Sequence, residues 1–575
     1  MKKIVLLLIA TLLYNLLNAQ TITNPRAMAE WEEVQGVLFY DGSKIVHSTT
    51  HNDSLYFKEL RRVKFSIAKT VVEEGIMVYV IEPEDNGFRE YCIDNGLPED
   101  KIINVVFNPT TMDVSGWERD EGPVSIYKNE VGELHFAAWF NDRGAVLLAN
   151  KMNVPLLQDN NNEYSIFTDG GNYLTDGHGR LFADSDALFG SPISDFIKNH
   201  YKNNMGIDDI VKLPPYMGHI DYYLKLINEE TFVVSDIPQS NYNTQMDSDF
   251  DDSLKIQQAV DYIKNNYVSC YGRPYKFVKI TNAPTIMLTN LNVESPTSTN
   301  GYTNALILNK TVLVPMYDSI FDGNTAGIAE FDNNALEKYR EIMPGYRIVG
   351  IPGMALFIGG AVHCLTREIG AAEPVYISHA WLPDTVNVTN EGYEIKAVVK
   401  TISGVKNAKL FWATEPDLTY LDIEMNNTAL DTFVATIPAQ VNGTKVHYYI
   451  QAESNSGKVN QKPMVAPNWA FSFFVSDGSI SIAENNHSNI KYELLQNFPN
   501  PFNTTTTIKF GVAEASQTKI TVYDIFGKQI DVLLDGYLST GMHEVTINTS
   551  KWASGIYFYR LSTKGFSKTQ KMVKN

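Results

Sequence analysis

The sequence predicts an α/β body followed by two β-rich modules, and three observations carry that prediction. From about Thr21 to Glu373, short β-type runs alternate with helix-like stretches. After Pro374 only β-type segments remain, separated by polar turns. The chain has 575 residues, 44% hydrophobic and 20% charged, which supplies large buried cores and too little charge for a disordered chain. Single cores stop growing well before this length, so a body of about 300 residues with smaller appendages is the natural partition.

The elements follow in chain order. Lys2 and Lys3 precede the apolar run Ile4 to Leu13, and Ala19 offers a cleavage point before Gln20, so residues 1–19 read as a signal peptide. Tyr14 and Asn15 interrupt the apolar run, which falls short of the ~20 residues a membrane span needs. Within the body, 20–373, Met77-Val-Tyr-Val-Ile81 and Ile103-Asn-Val-Val-Phe107 are predicted strands. Ser253 to Asn266 is a predicted helix, with Leu254, Ile256, Val260 and Ile263 on overlapping faces. Over 374–475 the candidate strands Ile395–Lys400, Ala408–Trp412, Thr432–Ile437, Lys445–Gln451 and Phe471–Val475 have the spacing of one immunoglobulin-like β-sandwich. A Ser/Asn/Gly-rich stretch at 476–490 reads as a linker. The module at 491–575 carries candidate strands Lys519–Tyr523, His543–Ile547 and Gly555–Arg560.

Charge and cysteine content exclude several function classes. With 47 basic and 66 acidic residues the net charge is −19, which disfavours a nucleic-acid partner. From Glu493 to Asn575 the balance reverses to nine basic against six acidic residues, as expected of a tail that acts independently. Cys92, Cys270 and Cys364 are too few for a disulfide scaffold and lack zinc-site spacing. At most one bridge can form, such as Cys92–Cys270, and the thiol left over calls for a reactive role.

Four separated segments concentrate chemistry-bearing residues. Gly116-Trp-Glu-Arg-Asp-Glu-Gly-Pro123 is rich in charge, and taken alone a WxRD segment is more often a surface turn held by a salt bridge. In Thr168-Asp-Gly-Gly-Asn172 the paired glycines let the backbone bring Asp169 or Asn172 close to a ligand, or simply form a hairpin turn. In Leu213-Pro-Pro-Tyr-Met-Gly-His-Ile-Asp-Tyr-Tyr223, an extended backbone places His219 and Asp221 on one side, an imidazole to move protons and a carboxylate to bind a cation. That HxD pair also fits a metal, but no third and fourth ligands stand at fixed spacing, so no metal site is expected. In Phe357-Ile-Gly-Gly-Ala-Val-His-Cys-Leu-Thr366, Cys364 is a candidate nucleophile that needs a cation or base nearby, although an isolated cysteine is more often a small buried hydrophobe. An extended segment would turn the adjacent His363 to the opposite face, so His363 is not read as the base, a role that His219 could supply from far away in sequence. The acidic run Asp247 to Asp252 lacks the pattern of an EF-hand and reads as a solvated loop.

Taken together, Trp117-x-Arg119-Asp120-x-Gly122-Pro123, Asp169-Gly-Gly-Asn172, Gly218-His-Ile-Asp221, Tyr302-Thr-Asn304 and Gly359-Gly-Ala-Val-His-Cys364 resemble, in order, the Porphyromonas-type peptidylarginine deiminase and agmatine deiminase family. The likeness runs from Arg26-Ala-Met-Ala-Glu-Trp31 to Arg367. It implies a five-bladed pseudo-symmetric α/β propeller with a central site. The last module resembles the type A sorting domain of type IX secretion cargo. The residues that carry this are Asn497-Phe-Pro-Asn-Pro-Phe502, Val522-Tyr-Asp-Ile-Phe-Gly527, Gly541 before His543-Glu-Val, Gly555-Ile-Tyr-Phe558 and Lys571-Met-Val-Lys574. This implies passage through the periplasm and release or attachment at the outer-membrane surface.

The family resemblance implies Cys364, His219, Asp120 and Asp221 as catalytic residues, with Asn304 helping to position the site. Asp120 and Asp221 would hold the planar guanidinium of a substrate while Cys364 attacks its carbon. Trp117 and Tyr216 are expected to wall the cleft, with Asp169 and Asn172 beside the substrate. No cofactor is expected. The expected reaction converts peptidyl-arginine to peptidyl-citrulline and ammonia. Alternatives are agmatine or free arginine as substrate, amidino transfer to an amine, and a catalytically silent adhesion protein. Arg143, in Asn141-Asp-Arg-Gly144, is the one basic residue in the region where recognition of a C-terminal carboxylate is expected.

Overall fold

The computed structural model describes residues 24–41, 53–83, 87–107, 119, 122–138, 142–158, 170–184, 193–214, 219–237, 248–284, 286–288, 293–295, 300–318, 328–354, 361–477, 492–497, 500–513, 516–538, 541–549 and 552–575. The expected leader at 1–19 and residues 478–490 of the expected linker lie outside the described residues.

In the body the order strand, strand, helix, strand recurs. Val124–Tyr127 pairs antiparallel with Leu134–Ala138, the helix Arg143–Met152 follows, and Leu156–Gln158 returns parallel to Leu134–Ala138. The same pairings run through Leu174–Thr175, Arg180–Ala183, the helix Asp195–Met205 and Asp209–Lys212. They recur in Leu224–Asn228, Thr231–Asp236, the helix Ser248–Asn266 and Lys276–Thr281. A fourth set comprises Leu306–Leu308, Thr311–Pro315, the helix Ile328–Ile342 and Arg347–Ile351. The fifth draws on both ends of the body. Arg367–Gly370 lies antiparallel to Val34–Tyr40, and after the helix Asp53–Glu73 the parallel strands Met77–Pro83 and Ile102–Phe107 complete the sheet. Parallel neighbours require a crossover of this length, which the helices supply. Strand pairing joins members of each set and not one set to the next, and no closed sheet is seen among the described residues.

Local sequence explains the elements. Leu134–Ala138 and Thr311–Pro315 are buried along their whole length, as strands covered on both faces must be. Asp142 caps the helix it precedes by accepting from the Ala145 N–H at 2.8 Å, and Ser194 does the same for Ile197. Gly206 ends the latter helix at φ +69°, where a Cβ would also strike the Pro25 carbonyl oxygen. The acidic run expected as a solvated loop instead lies, over 248–252, at the start of the helix Ser248–Asn266.

Each of the five strand sets is entered by one of the segments that carry chemistry. Arg119 and Gly122 precede Val124, Gly170–Asn172 precedes Leu174, and His219–Tyr222 precedes Leu224. Asn304 precedes Leu306, and residues 361–366 precede Arg367. The chemistry-bearing residues thereby stand on loops that lead into strands.

Beyond the body, one sheet has the order Tyr376–Ser378, Tyr393–Lys400, Thr432–Ile437 and Asn426–Ala429. Along Tyr393–Lys400 burial alternates, as in a strand with one face on a core. The chain divides into two compact units: the body joined by 391–438 and 446–473, and 384–390, 439–445 with the region from 474 onward. Within the first unit, ion pairs Lys462–Glu229 and Lys458–Glu33, each at 2.7 Å, tie the β-rich segment to the body. In the second unit Asn497 donates twice: its N–H to the Tyr559 hydroxyl at 2.7 Å and its Nδ2 to the Thr506 hydroxyl at 2.9 Å. Asn500 Oδ1 accepts from Val573 N–H at 2.8 Å, which ties the Asn-Phe-Pro-Asn-Pro-Phe segment to the final basic strand. All three cysteines are free, and Cys92 and Cys270 form no bridge.

One buried histidine makes the first unit sensitive to acid. His379 Nδ1 donates to the Lys396 carbonyl at 2.7 Å, so Nε2, 2.9 Å from the Tyr448 hydroxyl, is the acceptor of a neutral ring. Burial lowers its pKa to about 4 from the ordinary 6.5. The unfolded chain therefore binds the extra proton first, and stability present above pH 6.5 is lost as pH falls towards 4. In denaturation series across this window, His379→Gln should flatten the acid limb by roughly 1–3 kcal/mol. An unchanged slope would refute the assignment.

Candidate functional site

The site is built around one carboxylate. Asp221 lies in the one-turn helix Ile220–Tyr222, and its Oδ2 receives three groups. Asn304 Nδ2 donates to it at 3.0 Å, His363 Nδ1 lies 2.7 Å away, and the Cys364 thiol donates at 3.4 Å. Its Oδ1 is buried without a hydrogen-bond partner among the described residues. Burial alone would raise the Asp221 pKa, but His363, His219 and Arg119 outweigh it and hold the group below the usual carboxylate range.

Asn304 fixes the thiol loop. Its Oδ1 accepts from the backbone N–H groups of Ala361, His363 and Cys364 at 3.0, 3.1 and 3.3 Å, while Nδ2 also reaches Cys364 Sγ at 3.3 Å. A carbonyl and an amide on one planar side chain suit this double task, because three donors and two acceptors must be met at once. Cys364 itself is 2% exposed.

Two charged layers stand behind the thiol. His363 Nε2 lies 2.8 Å from Glu30 Oε1, and the other oxygen of Glu30 takes the Lys225 ammonium. Burial pushes the Glu30 pKa up, yet His363, Lys225 and Arg119 together hold it well below its ordinary value. Arg119 grips Glu368 bidentately at 2.9 and 2.6 Å, donates from Nε to the His363 carbonyl at 3.1 Å, and its N–H meets the Cys364 carbonyl at 3.2 Å. The surface turn expected for the WxRD segment is thus corrected: Arg119 is 1% exposed, and its salt bridge is internal.

Two expectations about backbone also change. His219 is extended but Asp221 is helical, so the pair is not two positions on one strand; they remain near enough for the imidazole charge to act on Asp221. Residues 361–366 form turns rather than an extended run, which brings His363 to the same side as Cys364. The paired glycines act through space: a Cβ on Gly171 would come within 2.3 Å of His219 Nδ1, and one on Gly170 within 1.8 Å of the Arg119 carbonyl oxygen. His219 stacks on Tyr222 with ring centroids 5.4 Å apart.

The structure therefore brings Cys364, Asp221, Asn304 and His219 into one neighbourhood. Asn172 is fully buried, and its Oδ1 accepts from Asp184 N–H at 2.6 Å. Arg143 opens its helix on the exposed surface. Asp120, Trp117, Tyr216 and Asp169 lie outside the described residues. Sequence reasoning missed Glu30, Lys225 and His363 as members of the site, although Glu30 stands in the Arg26-to-Trp31 segment and His363 adjoins the thiol.

Comparison with known proteins agrees in extent with the strand sets. Residues 26–369 match the family described as Porphyromonas-type peptidyl-arginine deiminase, and 496–575 match the secretion system C-terminal sorting domain. A Legionella pneumophila protein named "Putative agmatine deiminase" is 22% identical over 326 residues, covering 52% of this chain and 83% of its own. One of the same name from Shewanella frigidimarina is 25% identical over 292 residues, covering 44% and 73%. The solved agmatine deiminase of C. jejuni shares 17% identity with a TM-score of 0.45, over 60% of this chain and 95% of its own. With the matched segment spanning more than half its length, the chain belongs to the Porphyromonas-type peptidyl-arginine deiminase family, and it ends in a sorting domain of the type IX secretion system.

Proposed function

We propose that this chain is an exported arginine deiminase that converts peptidyl-arginine to peptidyl-citrulline and ammonia. The observation that carries the reading is the Asp221 carboxylate. It is buried, held ionised, bound to the thiol side through Oδ2, and its Oδ1 has no partner among the described residues and suits a cation. A guanidinium offers planar N–H donors that fit such an oxygen, and Asp120 supplies the second carboxylate. As a member of its family the chain is a hydrolase of amidine C–N bonds, and its sorting domain indicates export to the cell surface. The five strand sets support a propeller of five units around this site, and the periplasm is the route to the surface.

In the reaction the Cys364 thiolate attacks the guanidinium carbon, forming a C–S bond and a tetrahedral adduct. The C–N bond to one terminal nitrogen then breaks, and His219 gives that nitrogen a proton so that it leaves as ammonia. Water, deprotonated by His219, adds to the thiouronium carbon; the C–S bond breaks and returns its electron pair to sulfur. The product is a urea. Asn304 holds the Cys364 backbone and the Asp221 carboxylate in register through the cycle. We assign substrate contacts to Trp117, Tyr216, Asp169 and Asn172, as the family resemblance implies.

Agmatine is the second reading, favoured by the names of the relatives and by the exposed position of Arg143. The full chain offered a peptide ending in arginine, one with internal arginine, and agmatine should form ureido product from the peptides. Agmatine turnover alone would replace that substrate assignment, and silence on all three would overturn the hydrolase reading. Cys364→Ala should abolish ammonia release with the fold retained.

Asp221→Asn should lower kcat/KM on the order of 10²–10⁴-fold. Asn304→Ala should reduce turnover and also cost about 1–3 kcal/mol of stability, because the buried N–H groups of Ala361 and Cys364 lose this acceptor while His363 N–H keeps the backbone carbonyl of residue 304. Steady-state kinetics with denaturation curves for both variants check this, and a fully active Asn304→Ala chain would contradict it.

A further inference from the structure

We infer that Glu30 is a positioning residue for the reaction, acting through His363 to fix which way the Asp221 carboxylate is turned. The inference rests on the function proposed above. A carboxylate can turn about its last torsion, so the separate duties of Asp221 Oδ1 and Oδ2 need an outside constraint. The shortest contact to Oδ2 is His363 Nδ1 at 2.7 Å, against 3.0 Å from Asn304 and 3.4 Å from Cys364. The imidazole can impose that constraint only if its own plane is fixed. Glu30 fixes it by holding Nε2 at 2.8 Å on the opposite edge. Glu30 is in turn anchored by Lys225 through its second oxygen. Both carboxylates and the ring are buried, so no water replaces a lost partner at low cost.

The charged and titratable groups around Glu30 come from several elements. His363 and Arg119 come from the loops, Lys225 from strand Leu224–Asn228, Arg367 and Glu368 from strand Arg367–Gly370, and Tyr339 from helix Ile328–Ile342. Glu30 could serve merely to balance Lys225. The division of its two oxygens between the ammonium and the imidazole argues against that single duty.

The full chain is compared as native, Glu30→Gln and Glu30→Gln/Lys225→Met, the last removing the ammonium that Glu30 would otherwise leave unpaired. Two readouts are taken: kcat and KM on agmatine and on a peptide ending in arginine, and the rate of Cys364 alkylation by iodoacetamide, resolved by peptide mass spectrometry. Positioning predicts that kcat falls about tenfold or more, equivalent to about 1.4 kcal/mol, in the single variant and stays low in the double variant. It also predicts an alkylation rate changed about threefold or more in both variants, since the thiol environment depends on Asp221. Native kcat in the single variant, or recovery in the double variant, overturns the inference in favour of simple charge balance. A single variant that fails to fold leaves the double variant to decide on the same criteria. If the native chain turns over neither substrate, the functional reading fails, and the alkylation rates alone test the positioning: unchanged rates overturn it.

Discussion

The structure of the site depends on one shared oxygen. Asp221 stands in one loop, and its Oδ2 is contacted by an amide from a second loop and by an imidazole and a thiol, on adjacent residues, from a third. Those places precede three different strand sets, so the oxygen can be assembled only when all three sets have folded. The same loops are bound to one another by backbone contacts: His363 N–H reaches the Asn304 carbonyl at 3.1 Å and Arg119 N–H the Cys364 carbonyl at 3.2 Å. Rigidity at the thiol is therefore a tertiary property of the body rather than of any one segment.

Much of this was legible in the sequence, and the parts that were not share a cause. The alternating β and helix texture located the body, and the strand Thr432–Ile437 was read to its ends because alternation along it is strong. Other strands ran longer than expected, as at Val405–Thr414, because pairing partners extend a strand past its hydrophobic stretch. Cys364, His219 and Asp221 stood out by their chemistry and Asn304 by the family resemblance alone, and the structure brings the four into one neighbourhood. The repeat of strand, strand, helix, strand was not, because it is conserved in pairing geometry and not in residue spacing. Its signal was still present: each chemistry-bearing segment immediately precedes the first strand of a set.

The misread backbones at His219–Asp221 and at 361–366 follow from a rule applied outside its range. Alternation of side chains is a property of extended chain. The first passes from extended chain into a one-turn helix and the second is a run of turns, so in neither does strict alternation hold. Functional loops are where sequence rules fail most often, since geometry there is set by tertiary contacts rather than local preference. Arg119 shows the same effect. An Arg-Asp step reads locally as a solvated turn, but the carboxylate of Glu368, 249 residues away, draws the guanidinium inside.

Energetics explain why so many charges surround a small thiol. Taking an ion pair out of water costs more than its attraction often returns, so well-packed apolar residues would stabilise the body at least as well. Lys225, Glu30, His363 and Asp221 nevertheless form an unbroken buried line of alternating basic and acidic groups. Arg119 and Glu368 form a second pair beside it. Removing any one member strands its neighbour, so the line persists only as a whole. Such an arrangement gives orientation at the expense of stability. What it orients is the Asp221 carboxylate, whose Oδ1 has no hydrogen-bond partner among the described residues, at the point where the thiol ends the line.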